Sequence, residues 1–169
     1  MSELTPSQKG AAAEAEIAAA AIRLDLFVLR PLCDGSRYDL VLDTGNQLLR
    51  VQCKWASRRA DVLTARCITS RHTPHGYVRT TYSSAEVDAI AVYSPDTDQC
   101  YLIPIQEAEG RSALSLRVGP TRNNQALHVR WAREFELESS IERNWGVSRS
   151  GSRDAARPPP GDKMTAMGL

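Results

Sequence analysis

Two short runs of sequence decide how this chain folds: Arg37-Tyr38-Asp39-Leu40-Val41-Leu42 and Leu49-Arg50-Val51-Gln52-Cys53-Lys54. Apolar residues recur in them at every second position, which is the period of a β-strand with one buried face. The residues that follow the first run, Asp43-Thr44-Gly45-Asn46, have the composition of a hairpin turn. The sequence therefore predicts a β-hairpin whose apolar face belongs to the core.

The opposite face of the predicted hairpin is polar. A four-residue turn at 43–46 pairs Leu42 with Gln47 and Asp39 with Arg50, which makes Asp39 and Gln52 diagonal neighbours roughly 5–8 Å apart. A cation bound by oxygen atoms can bridge a carboxylate and an amide at that separation. The side chains expected on this face are Asp39, Arg50, Gln52 and Lys54.

The lysine at position 54 is unusual for this chain, because arginine outnumbers lysine by 18 to 3. An ammonium is a compact charge whose pKa can be tuned, whereas a guanidinium effectively stays protonated. A lysine inside an apolar strand therefore indicates a chemical role for Lys54. The alternative for Asp39 is an ordinary ion pair with Arg37 or Arg50.

Length and composition predict one globular domain. The 169 residues, of which 42% are hydrophobic, suffice for a sizeable core. The sequence shows neither a long apolar run nor a signal-peptide pattern, so we expect a cytoplasmic protein with no membrane partner. Four cysteines without CxxC spacing are expected to be free thiols, with Cys53 on the core face.

Charge is segregated along the chain although the net charge is only +1. Residues 50–79 contain seven basic side chains and one acid, whereas residues 81–110 contain six acids and no Lys or Arg. This split favours one positive face, which suits contacts with the phosphates of a nucleic acid. The alternative is an ordinary solvated face.

The rest of the sequence predicts a helix from Ser7 to about Leu26 and a short strand within Leu26–Leu32. Further strands are expected near 62–70, 77–81, 89–93, 100–105 and 114–118, with a short helix from Ser83 or Ser84 towards Asp88 and a closing segment at 131–137. This order predicts an α/β or α+β domain over residues 1–142, with a central mixed β-sheet flanked by helices. Residues 143–169, rich in Arg, Ser and Pro, are expected to form a disordered tail.

The motif resembles the PD-(D/E)xK nuclease superfamily, and within it the branch related to a group I intron homing endonuclease, where glutamine replaces the usual acidic residue. It reads Arg37-Tyr38-Asp39-Leu40 and then Arg50-Val51-Gln52-Cys53-Lys54, with the Asp 13 positions before the Gln. Lys9-Gly10 followed by Glu14 is similar to the N-terminal helix of that branch. Segments 82–88, 92–104 and 122–125 are similar to its later parts, so the resemblance spans roughly residues 8–137.

This resemblance implies a restriction-endonuclease-like core and an endonuclease that hydrolyses DNA phosphodiester bonds with Mg²⁺ or Mn²⁺. It implies that Asp39, Gln52 and Glu14 bind the metal ion. It also implies that Lys54 orients the attacking water or stabilises the charged transition state. The alternative is a catalytically weak or inactive nucleic-acid-binding module of the same fold, because an amide oxygen contributes less charge than a carboxylate. A protein-interaction domain is a third, weaker alternative.

DNA is the expected partner, with RNA left open. Cutting both strands of a duplex needs two sites and this chain carries one, so a homo-oligomer, either a dimer or a tetramer, is also expected. The residues predicted to contact the nucleic acid are Arg37, Arg50, Arg58, Arg59, Arg71 and Arg79.

Overall fold

The computed structural model describes residues 3–33, 35–74, 76–120 and 129–147. Helix α1 (Pro6–Arg23) begins at a capping box, in which the Thr5 hydroxyl accepts from the Gln8 N–H and the Gln8 side chain accepts from the Thr5 N–H. It ends about three residues earlier than predicted, because Asp25 takes a left-handed φ of 59° that turns the chain into the first strand. Helix α1 packs on the sheet through the buried residues Ala13, Ile17 and Ala21.

Nine strands and three further helical segments follow within the described residues. The strands are β1 (Phe27–Leu29), β2 (Leu40–Asp43), β3 (Leu48–Arg59), β4 (Val62–Arg66), β5 (Ile68–Thr73), β6 (Gly76–Thr81), β7 (Ala89–Ser94), β8 (Gln99–Pro104) and β9 (Ala113–Arg117). The helical segments are α2 (Ile105–Ala108), a 3₁₀ turn (Ala132–Phe135) and α3 (Leu137–Trp145).

In the described part of the chain, seven of the strands form one sheet, while β5 and β6 form a separate two-stranded sheet. The long strand β3 is central to the larger sheet, pairing antiparallel with β2 and β4 and parallel with β7. The prediction of an α/β domain with a mixed sheet flanked by helices is therefore confirmed.

The β2–β3 hairpin, called the site hairpin below, is buried as its alternating pattern predicts. Its apolar face lies under α1 and α3 and consists of Leu40, Leu42, Leu49, Val51 and Cys53. The opposite face of the sheet is covered by a second cluster that includes Ile90 and Val92 of β7. The middle of β3 is therefore buried on both faces of the sheet, at Val51, Gln52 and Cys53.

The predicted register of this hairpin is wrong by two residues. Leu42 faces Leu49 instead of Gln47, and the register places Asp39 beside Gln52 instead of Arg50. The loop is 44–47, closed by Thr44 N–H donating to the Gln47 carbonyl (3.0 Å). A shift of two residues keeps each side chain on its face, so the predicted polar face survives.

The short helix predicted before Asp88 is also wrong, because residues 84–86 form a turn. The Glu86 N–H donates to the Ser83 carbonyl (3.0 Å), and the Ser83 N–H donates to the Glu86 carboxylate (3.2 Å). Ion pairs of Glu86 and Asp88 with distant arginines fix this turn. Tertiary contacts therefore override the local helical signal.

Helix α3 runs to Trp145 and ends at Gly146, whose φ of 67° is left-handed. The domain boundary at 142 stays a prediction, and residues 148–169 of the expected tail lie outside the described residues, as does segment 122–125. All four cysteines are free thiols, with Cys53 and Cys67 buried. No described helix is both long enough and apolar enough to cross a membrane.

Candidate active site

Asp39 is held against β3 at the start of the site hairpin. Its N–H donates to the Val51 carbonyl (2.9 Å), and its Oδ2 accepts from the Cys53 N–H (2.8 Å) and from Gln52 Nε2. Burial raises the pKa of the Asp39 carboxyl, although the Cys53 hydrogen bond and the charges of Lys54 and Arg30 act to lower it. The fold therefore keeps a carboxylate in a place where ionisation is costly.

Gln52 lies beside this carboxylate and is only 7% exposed. It occupies the centre of β3, opposite Ile90 of the parallel strand β7. Its amide nitrogen faces Asp39, and the amide oxygen and nitrogen exchange places when the terminal group turns over. Gln52 can thus offer either a donor or an acceptor at this point.

Glu14 reaches the same region from α1. Burial raises the pKa of its carboxyl, and the negative charge of Asp39 raises it further, against the opposing charges of Arg30 and Lys54. Arg30, which follows β1 and remains 67% exposed, forms an ion pair with Glu14. Nothing in the sequence predicts this pairing, because the two residues are 16 positions apart and lie in different elements.

Lys54 lies within β3, two residues after Gln52 and on the same face of the strand. Its Nζ donates to the hydroxyl of Tyr82 (3.0 Å) and lies 5.1 Å from the centroid of the same ring. Its positive charge acts to lower the pKa of Asp39 and of Glu14, against the larger effect of burial, which raises both. The structure therefore brings together all four predicted residues of the centre, and it adds Arg30 and Tyr82, which sequence reasoning missed.

Two of the arginines predicted to contact DNA are engaged within the protein. Arg37 donates to Glu86 through Nε (2.7 Å) and Nη2 (3.1 Å), and to the Thr69 hydroxyl (2.7 Å). Arg50 pairs with Asp88 through Nε (3.0 Å) and Nη2 (2.9 Å). The pKa values of Glu86 and Asp88 are lowered chiefly by these hydrogen bonds. Charges separated along the chain are thus partly neutralised in space.

The other predicted contacts lie on exposed surface where the structure describes them. Arg58 and Arg59 are exposed at the end of β3, and Arg79 is exposed on β6. Arg58 donates to the carbonyl of Ala60 (2.7 Å). Arg71 belongs to β5, and its side chain lies outside the described part.

The donor set of this centre suits a hard cation. Within the described residues, no group of three or more His, Cys, Asp or Glu side chains is placed to hold a metal ion. Asp39 and Glu14 supply two carboxylates, of which the charge of Asp39 raises the pKa of Glu14, and Gln52 adds an amide group. Mg²⁺ and Mn²⁺ prefer such oxygen ligands, and a cation would offset the repulsion.

Comparison with known proteins places the chain in a family. No curated protein matches its sequence. The solved structure of a bacterial homing endonuclease, I-Ssp6803I, is similar with a TM-score of 0.68 and 20% sequence identity, covering 88% of this chain and 100% of that chain. At this identity the likeness shows a shared fold. The family model for PD-(D/E)XK endonuclease matches residues 4–138, and the chain belongs to this family.

Proposed function

We propose that this protein is a metal-dependent endonuclease that hydrolyses DNA phosphodiester bonds at the centre formed by Asp39, Gln52, Lys54 and Glu14. One observation carries the proposal: two carboxylates whose pKa values are raised lie beside an amide and an ammonium. Titratable groups shifted by burial and by specific charge partners are typical of functional sites. Membership of an endonuclease family supports the same activity.

The metal ion would be held by Asp39, Glu14 and the amide oxygen of Gln52, with Mg²⁺ or Mn²⁺ as the candidates. When bound, such an ion polarises the phosphoryl group and lowers the pKa of a bound water. Asp39 is pre-positioned for this role by its hydrogen bond from the Cys53 N–H (2.8 Å). Arg30 is largely exposed and can leave Glu14 without losing a buried position.

Lys54 would act on the charge that develops at the phosphate. A fixed ammonium in a partly buried site stabilises a negative transition state more strongly than it would in water, because the local dielectric is lower. Orienting the attacking water is the other role open to it. Both roles require the ammonium to be held in place.

We assign phosphate contacts first to Arg58, Arg59 and Arg79, which are exposed and take no part in the ion pairs of Glu86 and Asp88. Arg71 is kept as a phosphate contact on the sequence prediction alone. Arg37 and Arg50 belong to the scaffold in this proposal. A homo-oligomer also remains part of it, since one chain offers one centre for a two-stranded substrate. Size exclusion with light scattering, with and without duplex, measures the oligomeric state.

The test is cleavage of supercoiled plasmid DNA with Mg²⁺ or Mn²⁺ by the parent, Asp39→Asn and the matched control Asp96→Asn, an exposed acid between β7 and β8. We expect the parent and Asp96→Asn to cut and Asp39→Asn to be inactive. Thermal stabilisation by Mg²⁺ should disappear in Asp39→Asn alone. Absence of metal-dependent cutting by the parent, or cutting that Asp39→Asn retains, contradicts the proposal.

A second candidate is a nucleic-acid-binding module without turnover. It is favoured by Gln52, which stands where an acid is usual and donates its amide to Asp39. This candidate predicts salt-sensitive duplex binding that Asp39→Asn retains, with no cleavage by the parent. Gln52→Glu separates the two, because an added carboxylate should strengthen metal-dependent cutting only if a metal ion binds there.

A further inference from the structure

Tyr82 stands next to the proposed catalytic lysine and has no assigned role. It follows β6 directly and is only 2% exposed. A buried phenol normally finds a hydrogen-bond partner, and here its hydroxyl accepts from Lys54 Nζ at 3.0 Å. The contact joins the centre of β3 to the end of the β5–β6 hairpin.

The ring of Tyr82 is itself fixed by a second cation. The Arg37 guanidinium lies 4.8 Å from the ring centroid and Lys54 Nζ lies 5.1 Å from it, both within the range of cation–π attraction. Arg37 in turn donates to the carboxylate of Glu86 and to the carbonyl of Thr81 (2.9 Å). A connected set of contacts thus runs from the turn before β7 to the ammonium.

A lysine side chain has four rotatable bonds, so an unheld ammonium samples many positions. A catalytic group must stay close to its productive position, and residues behind it normally provide that restraint. We propose that Tyr82 is a positioning residue that holds the Lys54 ammonium for the reaction through its hydroxyl. The inference rests on the proposed function of Lys54, and Tyr82 acts through that lysine.

The first test compares Tyr82→Phe, which keeps the ring and removes the hydroxyl, with the parent in steady-state cleavage. We expect kcat to fall about tenfold through loss of a hydrogen bond to a charged group, with KM and duplex affinity unchanged. Tyr101→Phe is the matched control, because Tyr101 is equally buried and its hydroxyl contacts Thr97 (3.1 Å). Its kcat should stay within about twofold of the parent.

A double-mutant cycle distinguishes positioning from general damage. In a Lys54→Met background, Tyr82→Phe should cause no further loss, because the group on which it acts is gone. If the kcat of the double variant falls by the product of the two single losses, the inference is overturned. An unchanged kcat in Tyr82→Phe alone would overturn it as well.

A spectroscopic measurement tests the same contact without turnover. A lysine ammonium held by a hydrogen bond gives a slowly exchanging ¹H–¹⁵N signal, which we expect for Lys54 in the parent and in Tyr101→Phe but not in Tyr82→Phe. A Lys54 signal that persists in Tyr82→Phe overturns the inference. A parent that cuts no DNA contradicts the proposed function instead, and this measurement still decides whether Tyr82 holds Lys54.

Discussion

The two hairpins of this chain have the same antiparallel construction and opposite surroundings. The site hairpin packs its apolar face into one core cluster with α1 and α3, and its other face carries the polar side chains of the centre, of which Gln52 is buried and Lys54 is half-buried. The β5–β6 hairpin, called the exposed hairpin below, pairs with no other strand in the described residues, and β6 is exposed from Gly76 to Thr80. The site hairpin carries Asp39 and Lys54 of the centre, while the exposed hairpin presents Arg79 to solvent.

This difference shows how burial divides the work between charged groups. Burial raises the pKa of Asp39, so its carboxylate gains more from a bound cation than a solvated carboxylate would. An exposed arginine is well hydrated and is suited to phosphate contacts that weaken with salt. Arg37 connects the two hairpins, since it precedes β2 and donates to Thr69 of β5.

The largest expected effect is on turnover. Lys54→Met should lower the cleavage rate about 10²–10³-fold, the usual loss for one stabilising group at a transition state, with duplex affinity nearly unchanged. Lys9→Met is the matched control, because it removes a lysine of α1 that forms an ion pair with Glu3. This variant should cut at the parental rate. Steady-state kinetics on a defined duplex measure both. Equal losses in the two variants would break the distinction between the centre and the remaining surface.

Stability should also separate the hairpins. Leu42 of the site hairpin is 0% exposed, so Leu42→Ala should lower the unfolding free energy by about 2–5 kcal/mol through lost burial and a residual cavity. Val78 of the exposed hairpin is 45% exposed, and Val78→Ala should cost less than about 0.5 kcal/mol. Urea denaturation gives both values, and similar losses would mean that the exposed hairpin is packed in solution.

The connection between the hairpins should be weaker than the core but measurable. Arg37→Met leaves Glu86 without its guanidinium partner and removes the donor to Thr69, so we expect a loss of about 1–2 kcal/mol. Amide hydrogen exchange should accelerate in β5 and β6 more than in β2 and β3. Uniform acceleration of exchange would show that Arg37 supports the whole domain. Arg79→Met is the control, and we expect it to change neither the unfolding free energy nor the exchange rates.

Lowering the pH should change the contributions of two aspartates to stability in opposite directions. The pKa of Asp88 is lowered by its hydrogen bond from Arg50, so its stabilisation is present above the ordinary value of 3.8 and is lost as pH falls through the lowered pKa. The pKa of Asp39 is raised by burial, so its ionised form costs stability at neutral pH, and this cost disappears as pH falls below 3.8.

Thermal unfolding between pH 3 and pH 7 checks the two signs. Asp88→Asn should be less stable than the parent at pH 7 and approach it in acid. Asp39→Asn should be at least as stable as the parent at pH 7, with the advantage shrinking as pH falls. A destabilised Asp39→Asn at pH 7 would mean that the fold depends on this carboxylate for its stability.

The smallest expected effect concerns the salt dependence of binding. Arg79→Gln should reduce the slope of log affinity against log salt by about 0.9, the value for one lost phosphate contact on B-DNA. Arg111→Gln, at the residue that follows the acidic segment 81–110, is the control and should leave the slope unchanged. Titrations at several salt concentrations measure it. An unchanged slope for Arg79→Gln would remove β6 from the proposed nucleic-acid interface.

The apolar face of the site hairpin was predictable because a period of two depends only on the sequence. Its register was not predictable, because the leucines stay buried when the pairing shifts by two residues. Only the geometry of the loop at 44–47 selects between the two registers. The residues that contact the centre could not be predicted either, because they are distant in sequence. Arg30 meets Glu14 across 16 positions, and Tyr82 meets Lys54 across 28.

The charge pattern predicted a segregation of charge along the chain but not which charges pair in space. Residues 50–79 and 81–110 carry opposite charge, which favoured one positive face. The parallel pairing of β3 with β7 instead brings Arg50 beside Asp88, where the Asp88 N–H also donates to the Arg50 carbonyl (2.8 Å). Non-local strand pairing decides which charges meet, and a linear pattern does not contain it.

This parallel pairing also has a consequence during synthesis on the ribosome. The site hairpin is local and can form early, but one edge of β3 stays unpaired until β7, nearly forty residues later, has emerged. An unpaired edge of an apolar strand invites pairing with other nascent chains. The turn before β7, which holds Glu86 and Asp88, emerges at the same stage. The ion pairs of these acids with Arg37 and Arg50 can therefore form only when β7 is ready to cover the open edge of β3.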